Sequence, residues 1–251
     1  MGVVNTTPDS FSDGGRFLDA KAAIAHARKL HEDGADIIDV GGESTRPGAE
    51  PVSEQEELKR VMPVVEALAD IPVSVDTRRP GVMRAALEAG ASMINDVQAL
   101  QEPGAIEAIA AGNCAVCLMH MKGDPRTMQR DPYYDDVVGE VRSFLKERTD
   151  AASKAGIAAE RIVVDPGFGF GKTVTHNLTL LRRLGELSDF PLVAGLSRKS
   201  TLGKLTGRPV EERLAGSLAL ALLALQGGAT ILRVHDVKET RDVIAVWEAA
   251  R

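Results

Sequence analysis

Eleven consecutive residues, Asn5-Thr-Thr-Pro-Asp-Ser-Phe-Ser-Asp-Gly-Gly15, bring two carboxylates, four hydroxyls, one amide and one aromatic ring together directly after the apolar run 1–4. Pro8, Gly14 and Gly15 break any helical or strand period, so the segment reads as a polar loop hung on a buried strand. Taken alone it is no more than a turn rich in Asp and Ser. It is not alone. Asp39, Asp76, Asn95 with Asp96, His120, Asp165, Ser197-Arg-Lys199, and Arg233 with His235 each stand at or just after the end of another short apolar run. Asp39, Asp76, Asn95 and Asp165 supply acceptors, and Asn95 can also donate. A carboxylate taken out of water must be matched by donors, which a flat heterocycle with ring N–H and amino groups provides. Lys199, Arg46, Arg233 and His235 offer donors suited to an anion, with Arg able to bind phosphate through two parallel bonds. The ligand implied has a donor-rich pole and an anionic pole. For any single acid, a salt bridge or a helix cap explains it equally well; the set is what points to a site.

The elements that position these groups follow from hydrophobic patterning. Runs at 2–4, 37–41, 73–76, 92–96, 115–120, 162–165, 192–195 and 231–235 are rich in Val, Ile or Leu without polar alternation, as expected of strands buried on both faces. Amphipathic helical stretches lie between them at 17–32, 53–69, 80–89, 103–111, 136–155, 175–184, 210–226 and 237–250, with a capping-box pattern at Ser53-Glu-Gln-Glu56. Eight β–α alternations favour parallel strands with helical crossovers. A single (β/α)8 TIM barrel spanning 1–251 accounts for length, count and order together, and a doubly wound open sheet is the alternative. In such a barrel every polar strand end converges on one face.

Composition narrows the rest. The chain has 251 residues, 44% hydrophobic and 26% charged, with a net charge of −6, so no basic surface for nucleic acid is expected. No run reaches the length of a membrane span and no secretory signal pattern occurs, so no membrane partner and a soluble, cytoplasmic protein are the expectation. Cys114 and Cys117 form a C-x-x-C pair. Residues three apart on a strand face opposite ways and no second pair exists to complete a zinc site, so both read as core. The run Gly167-Phe-Gly-Phe-Gly-Lys172-Thr173 imitates a phosphate loop, but Pro166 occupies the position where that pattern needs its first glycine. The dinucleotide pattern fails as well, its third glycine coming one residue early. Phe168 or Phe170 could still stack on an aromatic substrate.

Seven motifs in order resemble those of the dihydropteroate synthases, a pterin-binding family. They are the 5–15 segment, Asp39-Val-Gly-Gly-Glu-Ser-Thr-Arg-Pro-Gly48, Ser74-Val-Asp-Thr77, Ile94-Asn-Asp96, Asp165-Pro-Gly-Phe-Gly-Phe170, Ser197-Arg-Lys-Ser200 and Arg233-Val-His235. The resemblance implies a transferase of folate biosynthesis that joins 4-aminobenzoate to 6-hydroxymethyl-7,8-dihydropterin diphosphate by an SN1-like route and is a target of sulfonamides. It implies that Asp76, Asn95, Asp165 and Lys199 contact the pterin, that Arg233, His235 and Thr45 hold the diphosphate, and that Mg²⁺ bridges it to Asn5. Phe11, Asp13, Arg46, Pro47, Phe170 and Ser200 would build the aminobenzoate site as the first two loops close. The residues it makes catalytic are Asp76, Asp165, Lys199, Asp13 and Arg46. A homodimer through late helices such as 210–226 is also implied, burial of that helix in the barrel wall being the alternative. The resemblance further places residues upstream of the first strand, which this chain lacks, so a lower melting temperature is expected than for a form extended upstream. Thr6 stands where the family commonly has an apolar residue. A pterin-dependent methyltransferase, a non-catalytic pterin-binding paralogue and a sulfonamide-insensitive synthase are the rival readings.

Overall fold

The computed structural model describes residues 1–6, 20–44 and 50–251. Eight strands form one sheet in chain order, all neighbours parallel: β1 (Gly2–Asn5), β2 (Ile38–Gly41), β3 (Val73–Asp76), β4 (Met93–Asp96), β5 (Ala115–Met119), β6 (Ile162–Asp165), β7 (Leu192–Ala194) and β8 (Ala229–Leu232). Closure is direct. Gly2 bridges Val234 in parallel, Val3 N donates to Val234 O at 3.0 Å, and Val234 N donates to Met1 O at 3.0 Å. The sheet is therefore a barrel, and the open doubly wound alternative is ruled out.

The helices are α1 (Ala20–Glu32), α2 (Glu54–Ala67), α3 (Pro80–Glu88), α4 (Ala105–Ala110), α5 (Val137–Lys154), α6 (Val174–Arg182), α7 (Ser200–Thr206), α8 (Leu214–Gln226) and α9 (Val237–Ala249). Ser53 caps α2 by accepting from Glu56 N at 3.2 Å, while the Glu56 side chain turns to Arg60 at 2.8 Å. Three elements depart from the sequence reading, the first being α7, which that reading lacks. The stretch 210–226 splits at Arg213 into a 3-10 turn and α8, because the Arg213 guanidinium bonds Arg208 O at 3.1 Å and Arg198 O at 3.0 Å. The last strand starts earlier and ends at Leu232, with 233–234 held to both neighbours by Arg233 N to Ala194 O (3.0 Å) and by the Val234 bridge.

Two apolar layers hold this frame. Alternate strand residues such as Val40, Val75, Ile94, Leu118 and Val164 pack outward against the helices. The intervening set, Met93, Cys117 and Val193 with Met1, Ile37, Ala115, Val163 and Ile231, fills the barrel interior below its polar end. Cys114 belongs to the outer layer and Cys117 to the inner, so the two sulfurs face apart as the spacing requires. Burial raises both thiol pKa values. Among the described residues no helix is long and apolar enough to cross a membrane.

Candidate active site

Parallel register fixes which side chains share the barrel mouth. Asn5, Gly41, Asp76 and Asn95 are successive partners across β1 to β4, so all four positions face the axis at the C-terminal end. Gly41 leaves a gap in this row: a methyl placed there would stand 3.8 Å from both Asn5 Oδ1 and Asp76 Oδ2. The amide and the carboxylate thus flank one space. Thr6, next in line, is buried and donates its hydroxyl to Gly41 O at 3.0 Å, which gives that residue a role in holding the end of β2.

One layer deeper, Asp39 is fully buried and receives three donors: Ser74 Oγ at 2.6 Å, Asn95 Nδ2 at 3.2 Å and Arg233 Nε at 2.6 Å. Its oxygens are committed to the protein, so Asp39 is a platform and not an acceptor left for a ligand. The same network orients Asn95. Because its amide N–H₂ faces a carboxylate, its Oδ1 points elsewhere, and that buried oxygen has no protein donor. Asn95 therefore presents an acceptor.

Arg233, expected at the anionic pole, is also tied to two acids of the mouth. Its second nitrogen bonds Asp76 Oδ2 at 2.9 Å while Nε serves Asp39. Burial disfavours its charge, but the two carboxylates outweigh that cost and hold its pKa above the ordinary value. Asp76 is pushed up to about 7, first by burial and then by neighbouring Asp39, with Arg233 opposing. Asp165 is raised as well, chiefly by burial, against Lys199 and the bond it accepts from Gly167 N at 2.7 Å. Lys199 is lowered to about 8 by burial, with Asp165 opposing. Gly195 opens the floor among them, a methyl there meeting Lys199 Nζ at 3.7 Å, Asp165 Oδ2 at 3.8 Å and Arg233 Cβ at 3.9 Å.

The β6–α6 loop forms the facing wall. Lys199 donates to Phe168 O, and its ammonium stands 4.8 Å from the centre of the Phe170 ring. Phe168 is core, whereas Phe170 is half-buried and offers a ring face. Ser200 is exposed as the first residue of α7. His235 donates its backbone N–H to Ser197 Oγ at 3.2 Å, with ring Nδ1 3.0 Å from the same oxygen. Arg198 pairs with Asp236 at 3.0 Å. Phe11, Asp13, Thr45, Arg46 and Pro47 lie outside the described residues.

Two strand-end groups serve the scaffold. Asp96 accepts from Gln98 N at 2.8 Å and Leu100 N at 2.7 Å, closing the turn after β4. His120 is buried against Phe144 and Lys172. Sequence reasoning missed a buried cluster behind the mouth: Arg79 bonds Glu43 at 2.8 Å and also reaches Glu57 and Val52 O. Its signal, a fully buried Glu57 on the apolar face of α2, becomes visible only once the helix is packed.

Among the described residues no group of three His, Cys, Asp or Glu can cage a metal. Asn5 Oδ1 and Asp76 Oδ2, which flank the space at Gly41, are a sparse oxygen set of the kind a hard divalent ion accepts while keeping most of its waters.

Comparisons with known proteins accord with this geometry. A family model described as pterin binding enzyme matches residues 1–235. The dihydropteroate synthase of Haemophilus influenzae is 52% identical, the alignment covering 99% of this chain and 92% of that protein. The Yersinia pestis dihydropteroate synthase, solved as a sulfonamide drug complex, superposes with a TM-score of 0.96 at 50% identity, covering 100% of this chain and 93% of that one. The Burkholderia cenocepacia dihydropteroate synthase, solved with 7,8-dihydropteroate, gives a TM-score of 0.91 at 49% identity, covering 100% and 90%. This chain, with its barrel mouth of paired acids, amide and lysine, belongs to the pterin-binding enzyme family, among the dihydropteroate synthases.

Proposed function

We propose that this protein condenses 4-aminobenzoate with 6-hydroxymethyl-7,8-dihydropterin diphosphate to give dihydropteroate and pyrophosphate. The observation that carries the reading is the cluster of acceptors in the mouth: Asn95 Oδ1 buried without a protein donor, beside Asp76 and Asp165, both with raised pKa values. Ring N–H and amino groups of the pterin supply the missing donors.

The C–O bond between methylene and diphosphate breaks first, and the electron-rich ring spreads the positive charge left on carbon. Asp76 and Asp165 stabilise that charge through space. The neutral aryl amine then attacks, a C–N bond forms and the nitrogen gives up one proton to water. His235, with Thr45 and Arg233, serves the diphosphate end. Asn5 would hold a Mg²⁺ ion arriving with the diphosphate, and that ion would supply charge neutralisation to the leaving group. Phe170 and Ser200 serve the aryl amine, a role the family resemblance also gives to Phe11, Asp13, Arg46 and Pro47, which lie outside the described residues. Exclusion of water protects the cation from hydrolysis. For assembly, an apolar groove of about 820 Å³ between α8 and α9, lined by Leu218, Leu222, Val243, Val246 and Trp247, supports a homodimer through this face.

The pH dependence follows from two groups. Asp76 is ionised only above about 7 and Lys199 is protonated only below about 8. We expect a bell-shaped kcat/KM whose acid limb falls as Asp76 gains a proton and whose basic limb falls as Lys199 loses one. Asp76→Asn should remove the acid limb and lower the rate about 10²–10³-fold; an unchanged acid limb would assign it to another group. The reaction itself is tested by pyrophosphate release with Mg²⁺, with and without 4-aminobenzoate. Dihydropteroate formed only when all three components are present establishes it. Tight pterin binding without condensation overturns it in favour of a binding-only protein or a methyltransferase.

A further inference from the structure

Lys172 closes the phosphate-loop imitation noted in the sequence, yet its amine turns behind the loop, onto the loop's own carbonyls and His120. It is 2% exposed, and among the described residues no carboxylate forms an ion pair with it. Burial drives its pKa well below the ordinary lysine value, with Asp165 opposing and Lys199 and Lys122 adding to the fall. A buried amine is a costly way to fill space that methionine would fill without penalty. Its bonds show what it does instead. Nζ lies 2.8 Å from His120 Nδ1 and donates to Gly167 O and Phe170 O, each at 3.0 Å. Those two carbonyls bracket the turn that Phe170 N closes on Gly167 O at 3.1 Å. Burial and the Lys172 charge hold the His120 pKa down to about 3, so the ring is neutral and its Nδ1 can accept. Lys172 Nζ thus joins three polar atoms, two carbonyls on the loop and the His120 ring nitrogen just past β5.

Everything the loop contributes to the mouth lies inside that staple. Phe168 O receives Lys199 and the Phe170 ring stands over the same ammonium. The other half of the mouth, Asp39, Asp76, Asn95 and Arg233, hangs on β2, β3, β4 and the end of β8, and its bonds run among its own members and Ser74. We infer that Lys172 is a positioning residue for the aryl-amine half of the site, acting through the 167–170 turn to fix the Phe170 ring. This rests on the reaction proposed above for which ligand meets which half.

The test uses the full chain, with Lys172→Met, which keeps bulk without donors, and His120→Leu, which keeps the ammonium and two of its three bonds. Foldedness is checked by urea denaturation, the KM for 4-aminobenzoate by steady-state kinetics, the Kd of a non-reactive pterin by calorimetry, and loop order by hydrogen exchange of the 166–171 region. We expect Lys172→Met to raise the aminobenzoate KM at least tenfold while pterin Kd changes less than threefold, with faster exchange confined to the loop. His120→Leu should show the same split at smaller amplitude, and the double variant should be no worse than Lys172→Met alone. If Lys172→Met does not fold, the split in His120→Leu decides. Equal loss of both ligands, or an unchanged KM in a folded variant, overturns the inference. Wild-type protein that makes no dihydropteroate defeats the proposed reaction instead, and the exchange arm still decides whether Lys172 orders the loop.

Discussion

Arg233→Met should lower the unfolding free energy by about 3–5 kcal/mol near pH 8, the cost of leaving a buried partner charge without its counterion. Two carboxylates lose that counterion together, because Nε holds Asp39 at 2.6 Å and the other nitrogen holds Asp76 at 2.9 Å. Asp39 is fully buried, so water cannot replace the guanidinium there. The loss should shrink at lower pH. Asp76 already titrates at about 7 in the folded protein, above its unfolded value, so the stability linked to its proton is complete below the unfolded pKa and fades as pH rises through about 7. Acid therefore relieves the variant by neutralising what arginine no longer pairs. Arg233→Lys should recover only part of the loss, since a compact ammonium does not bridge two carboxylates as a planar fork does. Urea midpoints at pH 5 and pH 8 measure this. A change below about 1 kcal/mol at pH 8, the size of a surface pair, would mean the charges are solvated.

Gly167→Ala should be at least as damaging. Gly167 has φ +67°, and a methyl there would overlap the carbonyl oxygen of His120. That oxygen cannot retreat easily, because His120 N donates to Asp165 O at 2.9 Å across the β5–β6 pair. The left-handed backbone alone costs alanine about 1–2 kcal/mol, and the overlap then displaces the loop or the strand end. A shift of about 1 Å in catalytic groups costs about 10²-fold in rate. Gly169→Ala is the control: its φ is +84°, but its methyl would meet only Lys199 Cδ at 3.4 Å. Equal melting temperatures and equal kcat/KM for the two variants would show that φ, and not the approach of His120, sets the requirement.

The barrel was legible in the sequence because parallel strands buried on both faces leave continuous Val, Ile and Leu runs, as in 37–41 and 162–165. What stayed hidden depends on approach in space. The short α7 has no apolar stripe and carries Gly203, placed there because the Arg213 guanidinium packs against it. Ala229 and Thr230 open β8 without an apolar signal. The polar strand ends gather at one end of the barrel, as parallel register requires, but their division of labour was not readable. Asp39 and Asp76 are the same residue type, yet Asp39, two residues short of the end of β2, is spent on three protein donors, while Asp76, at the end of β3, flanks open space. Lys172 read as a failed phosphate ligand because its burial depends on β5 lying alongside.

The seam between Gly2 and Val234 carries a kinetic consequence. It joins residues from opposite ends of the chain, the costliest loop to close in entropy, and no partial chain can form it. Arg233 sits on that seam, one residue from the bridge. During synthesis or refolding the earlier strands can assemble side by side while Asp39 and Asp76 still lack their cation. Zipping of the last strand to the first then delivers the guanidinium and completes the mouth in one event, so activity should return with the slowest phase of refolding and not with the earlier gain of helix.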